Sequence, residues 1–121
     1  MDLLTYSGDR HHVKKGWGGE EWIYNQDYCG KILSFDKGKK CSWHYHKIKD
    51  EVLYVETGEI LLRYSTEDDI ANATEIILKP GAAFHIPTGL RHQMYAIEES
   101  IIFEFSTHHE DVDSLRLIPG D

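Results

Sequence analysis

The hydrophobic positions of this chain fall in short runs. Stretches rich in Ile, Val, Leu, Tyr, Phe and Trp alternate with glycines, prolines and charged residues, the pattern of β-strands separated by turns. The runs predict strands over Glu21–Asn25, Cys29–Phe35, Ser42–His46, Glu51–Glu56, Glu59–Ser65, Thr74–Leu78, Ala83–Ile86, His92–Ala96 and Ile101–Ser106. Between them, Asp36-Lys37-Gly38, Thr57-Gly58-Glu59, Lys79-Pro80-Gly81 and Pro87-Thr88-Gly89 supply turn glycines, which suit positive-φ positions. No window carries a helical period, although Asp68–Ala73 has room for a single helical turn. Strand number and spacing predict an all-β sandwich or barrel. The polar stretch 107–114 and the following Leu115, Leu117 and Ile118 are expected to pack along its outside.

A length of 121 residues fits one domain, large enough to bury a core without disulfides. The formal net charge of −8 argues against nucleic acid as a partner, since a phosphate backbone calls for a basic face. No apolar run approaches the roughly 18 residues of a membrane helix. The N-terminus lacks the basic-then-apolar pattern of a secretion signal, so a cytoplasmic protein is expected. The one basic cluster, Arg10, His11, His12, Lys14 and Lys15, reads as a solvated arm, or as an anchor for an anionic group. Cys29 and Cys41 form no CxxC pair and are expected to be reduced and partly buried.

The chemistry concentrates in Gly38–Gly58. Side chains two apart on a strand share a face, so His44 and His46 point the same way, about 6–7 Å apart. Glu51 opens the next strand on the face of Leu53 and Val55, and a carboxylate beside an apolar interior needs a partner or a metal. His92 emerges just after the Pro87-Thr88-Gly89 turn. Three imidazoles and a carboxylate suit one divalent metal ion (Fe, Mn, Co, Ni or Zn), with coordination positions left for water or substrate.

The spacing Gly38-x5-His44-x-His46-x4-Glu51-x6-Gly58 resembles the first motif of the cupin superfamily, and Gly81-x5-Pro87-x-Gly89-x2-His92 resembles the second. The second motif usually ends in Asn, where this chain has Ala96; that departure touches a contact outside the metal. Over about residues 30 to 106, the resemblance implies a single-domain cupin: a jelly-roll β-barrel with His44, His46, Glu51 and His92 as metal ligands, commonly a homodimer.

Two flanking segments resemble the cupin domain of mannose-6-phosphate isomerases. Lys15-Gly16-Trp17-Gly18-Gly19-Glu20-Glu21 is similar to an RPWGxYE segment, and Asp113-Ser114-Leu115-Arg116 to an acidic-x-x-Arg segment near that family's terminus. Those enzymes usually have Gln where this chain has His44. The resemblance implies an aldose–ketose isomerase acting on a sugar or sugar phosphate. That chemistry needs a polarising cation and a base. Glu104, Lys31 and His85 are the catalytic candidates, with Tyr64 beside them; Lys15, Trp17 and Arg116 are the substrate-binding candidates. Either face of Ile101–Ser106 can be inward, which leaves Glu104 open between base and surface residue. Trp22, Tyr24 and Trp43 are read as core or interface before sugar contacts, and His108 and His109 as a polar tail pair. A metal-dependent dioxygenase and a non-catalytic sugar- or effector-binding cupin are the alternatives.

Overall fold

The computed structural model describes Leu3, Leu4 and residues 11–121; Arg10 of the basic cluster lies outside the described residues. Eleven strands form: β1 (His11–Lys15), β2 (Gly18–Asn25), β3 (Tyr28–Phe35), β4 (Trp43–His46), β5 (Glu51–Thr57), β6 (Ile60–Ser65), β7 (Thr74–Leu78), β8 (Ala83–Ile86), β9 (Arg91–Ala96), β10 (Ser100–Thr107) and β11 (Ser114–Ile118). They build two sheets, ordered β1-β2-β3-β10-β5-β8 and β11-β4-β9-β6-β7. This is the expected all-β jelly-roll sandwich. No helix among the described residues is long and apolar enough to cross a membrane.

The nine predicted strands are all present, and Asp68–Ala73 contains a 3-10 turn over Ile70–Asn72. Two strands were not foreseen. β1, read as a solvated arm, pairs with β2 along its whole length, from His11 opposite Trp22 to Lys15 opposite Gly18. Its single apolar residue, Val13, gives no alternation to read, and its lysines and histidines suit a sheet edge. β11, expected to pack outside the barrel, is instead hydrogen-bonded to β4, with Ser114 opposite His46 and Arg116 opposite His44. It therefore brings the C-terminal segment into the ligand sheet.

The interior divides along the strands. On β3 the buried residues run Cys29, Lys31, Leu33, Phe35; on β5 they run Glu51, Leu53, Val55; on β10 they include Ile102 and Glu104. One end of the sandwich is thus apolar, filled by Leu33, Phe35, Leu53, Val55, Ile60, Leu62 and Ile102. The other end is lined with charge. Both cysteines are buried and unpaired.

Gly58 and Gly89 fix how the segments meet. Both have positive φ, 91° and 89°, which side-chain-bearing residues rarely adopt. A Cβ on Gly58 would also collide with Ser100 Oγ. The Gly89 N–H donates to His46 O at 2.8 Å, fastening the turn before His92 to the strand carrying His44 and His46. At Ala96 the main chain makes the corresponding join: its N–H donates to Lys39 O and its carbonyl accepts from Gly38 N–H.

Candidate metal centre and its cavity

His44 and His92 are cross-strand neighbours on β4 and β9, and His46 follows two residues on from His44. One ring nitrogen from each lies within 4.8 Å of the others. Hydrogen bonds select which nitrogen. His44 Nδ1 lies 2.8 Å from Ser42 O and His92 Nδ1 2.9 Å from Leu90 O. A carbonyl can only accept, so in both rings Nδ1 carries the proton and Nε2 is the free lone pair. His46 Nδ1 faces Ser114 Oγ at 3.4 Å, leaving its Nε2 turned inward as well.

Glu51 meets these nitrogens from β5. Its Oε2 lies 3.6 Å from His46 Nε2 and its Oε1 3.6 Å from His92 Nε2. Burial holds all three imidazoles neutral: His92 falls to about 4, and His44 and His46 also lie well below the usual imidazole value, with neighbouring cationic groups adding to the effect. Burial, and then the nearby Glu104, push the Glu51 carboxyl up to about 7. Acceptors therefore converge here with only the Lys49 ammonium beside them, 3.1 Å from Glu51 Oε2, and that buried oxygen has no aligned hydrogen bond. Such a group is costly to bury, and a divalent cation satisfies all four residues at once. The donor set fits a metal.

Above this point opens a cavity of about 180 Å³. Five of the catalytic and substrate candidates line it: Lys15, Trp17, Lys31, Glu104 and Arg116. Glu104 is on the inward face of β10, which settles the face left open by the sequence; Phe105 beside it is 57% exposed. Lys31, buried, pairs with Glu20 at 3.0 Å and lies 4.4 Å from the Trp22 ring centroid. Trp17 is stacked on Phe35 with centroids 4.1 Å apart, so it is core as well as cavity wall. Lys15 and Arg116 line the cavity, and neither forms an ion pair among the described residues.

His85 does not join this group. Its side chain is 58% exposed and pairs with Asp50 at 3.0 Å, on the face of β8 opposite to buried Ile86. The sequence could not separate them, because β8 offers only four residues. Tyr64 packs on Phe84, and Trp43 is fully buried, with its Nε1 donating to Asp68 O at 2.7 Å.

Three cavity residues, Lys49, His109 and Asp111, and their neighbour Asp113 were missed. Lys49 Nζ lies 3.1 Å from Glu51 Oε2, 3.1 Å from Glu104 Oε2 and 3.1 Å from His109 Nδ1. Burial opposes its charge, but the Glu51 and Glu104 carboxylates outweigh burial and raise its pKa. Glu104 is likewise opposed by burial, yet Lys49 and Lys31 hold it below the usual carboxylate range. His109, read as half of a polar tail pair, is buried and bonded through Nε2 to Asp111 Oδ1 at 2.8 Å. Asp113 accepts from the backbone N–H groups of Lys47, Ile48 and Lys49 at 3.0, 3.0 and 2.9 Å. No signal marked Lys49: a lysine in the turn between a predicted ligand strand and Glu51 is usually solvated.

A two-sheet barrel with three histidines and a glutamate meeting from facing strands defines a jelly-roll protein positioned to bind a metal. The cupin domain profile matches residues 31–107, and the chain belongs to the cupin family. No curated protein matches it in sequence. Among solved structures it is similar to CapF, a capsular polysaccharide assembling protein from Staphylococcus aureus, with TM-score 0.79, 15% identity and coverage of 98% of this chain and 37% of that one. It is also similar to an oxalate decarboxylase from Bacillus subtilis, with TM-score 0.78, 17% identity and coverage of 90% and 30%. For KdgF from Halomonas sp. the TM-score is 0.71, the identity 22% and the coverage 87% and 90%. The chain spans 37% and 30% of the first two proteins, and at these identities the likeness is one of fold.

Proposed function

We propose that this cupin is a metal-dependent isomerase of the aldose–ketose type acting on a small sugar phosphate. The observation that carries the reading is that Glu104, a buried carboxylate held ionised by lysines, lines the same cavity as the three histidines and Glu51. Isomerisation removes a proton from the carbon beside a carbonyl and returns it to the neighbouring carbon. Glu104 is the group for that transfer, and Lys31 stabilises its charged form. A divalent ion on His44, His46, His92 and Glu51 would polarise the substrate carbonyl. Lys15 and Arg116, cations at the cavity wall without ion-pair partners among the described residues, suit a phosphate, and Trp17 suits an apolar sugar face. The segments around Lys15–Glu21 and Asp113–Arg116, which resemble mannose-6-phosphate isomerases, favour this substrate class. A homodimer belongs to the proposal on the resemblance alone. His85 has no part in it.

The test is anaerobic incubation of the metal-loaded protein with a panel of aldose and ketose phosphates in D2O. Deuterium should enter at the carbons flanking the carbonyl. Glu104→Gln should slow that exchange by about 100-fold or more while metal content is kept. Oxygen uptake coupled to substrate loss would instead identify a dioxygenase. Tight binding with no exchange across the panel would identify a binding protein.

A further inference from the structure

Lys49 is 3% exposed, an uncommon depth for a lysine, and both of its ends are held. Asp113 Oδ2 accepts its backbone N–H at 2.9 Å. At the other end the ammonium donates to Glu104 Oε2 and to His109 Nδ1. His109 can accept there because its other nitrogen, Nε2, donates to Asp111 Oδ1. An ammonium has three N–H donors. The third direction has only Glu51 Oε2, at 3.1 Å but without hydrogen-bond alignment. A metal-bound carboxylate is a weaker acceptor, so an ion held by the histidines and Glu51 would make this third Lys49 donor, at the cavity wall, available to a ligand oxygen.

Charge points to what that donor meets. The groups facing Lys49 and Lys31 inside the cavity are Glu20, Glu51 and Glu104, with neutral His109 and its Asp111 partner toward solvent. Around the metal position two lysines and a divalent ion would contribute +4 against −3 from the three glutamates, and Lys15, Arg116, Asp111 and Asp121 line the outer part of the same cavity. A negative oxygen on a ligand beside the ion offsets the excess of positive charge at that point.

We propose that Lys49 is a substrate-binding cation, donating its third N–H to the ligand oxygen that carries negative charge beside the metal position, with Glu104 and the His109–Asp111 pair holding the ammonium in place. The identity of that oxygen as one of an enediolate rests on the isomerase reading; the site itself selects any small anion with two adjacent oxygens. Lys49 here is a fixed charge and donor, and His109 a positioning residue.

Zn2+ and acetohydroxamate, which mimics the oxygen pair of an enediolate, are titrated calorimetrically into wild type, Lys49→Met, Lys49→Arg and His109→Gln. Lys49→Met removes a cation that competes for Glu51, so its Zn2+ affinity should equal or exceed that of wild type. Its hydroxamate affinity should fall by about 10–100-fold, the worth of a hydrogen bond to a charged group. Lys49→Arg should recover part of the loss, and His109→Gln should weaken hydroxamate several-fold at unchanged Zn2+ affinity. Unchanged hydroxamate binding in Lys49→Met overturns the proposal. So does a Zn2+ affinity that falls in step with it, because Lys49 would then serve only to place Glu51. If Lys49→Met does not fold, unchanged hydroxamate binding in both other variants overturns it. None of these readouts needs turnover: absent deuterium exchange in wild type rejects the isomerase reading and leaves the Lys49 result to stand or fall by itself.

Discussion

Asp113 makes no contact with substrate in the account above, yet replacing it by asparagine should damage both the fold and the metal centre. The carboxylate takes three backbone N–H groups from the turn that joins His46 to Glu51, two on Oδ1 and one on Oδ2. Asparagine keeps one oxygen. In the better orientation it retains the bonds from Lys47 and Ile48 and sets its amide against the Lys49 N–H, donor to donor. A hydrogen bond to a charged group contributes about 1.5–3 kcal/mol, and a neutral one about 1. Losing one and weakening two gives a destabilisation of roughly 2.5–7 kcal/mol for Asp113→Asn, and more for Asp113→Ala. Because the turn carries ligands at both ends, Zn2+ affinity should drop about 10–100-fold, as for other residues that orient ligands without touching the ion. Urea unfolding gives the first quantity and competition with a chromophoric chelator the second. Stability within about 0.5 kcal/mol of wild type together with an unchanged Zn2+ affinity would refute the assignment of Asp113 as the clasp of this turn.

Further outcomes follow from the cavity wall and the core. Lys15→Ala and Arg116→Ala should each weaken a phosphorylated ligand more than its unphosphorylated sugar, measured by calorimetry; equal loss for both ligands would remove the anchor role. Burial pushes the Cys41 thiol up to about 12 from 9.0, so the folded chain keeps a proton that the unfolded chain releases. Its stabilising contribution is full below pH 9 and is lost as pH rises toward 12, at up to about 1.4 kcal/mol per pH unit. Denaturant unfolding of Cys41→Ala should therefore show a shallower alkaline decline than wild type, with Cys29, also raised by burial, cancelling in the comparison. Parallel curves for the two proteins would contradict this.

The three converging histidines were legible because the motifs that place them are local. His44 and His46 share a face by strand alternation, and the turn glycines Gly58 and Gly89 mark where the chain must reverse. Charges whose partners lie far along the chain were not legible. Lys49 finds Glu104 55 residues away and His109 60 residues away, and Asp113 finds the 47–49 turn across more than 60. No periodicity encodes such pairings. Nor did alternation settle β10, where Ile101, Phe103 and Phe105 make the apolar face the outward one and the inward face carries Glu104. An edge strand such as β1, with one apolar residue, has its structure decided by its β2 partner and not by its own sequence.

The central claim is a single metal ion held by His44, His46, His92 and Glu51, and metal stoichiometry tests it most directly. Purified protein titrated with Co2+ and followed by visible absorption and elemental analysis should bind one ion per chain. His46→Ala, folded by circular dichroism, should lose most of that ion, and Glu51→Gln should bind it more weakly. Full occupancy in His46→Ala, or no stoichiometric binding by wild type, would contradict the account.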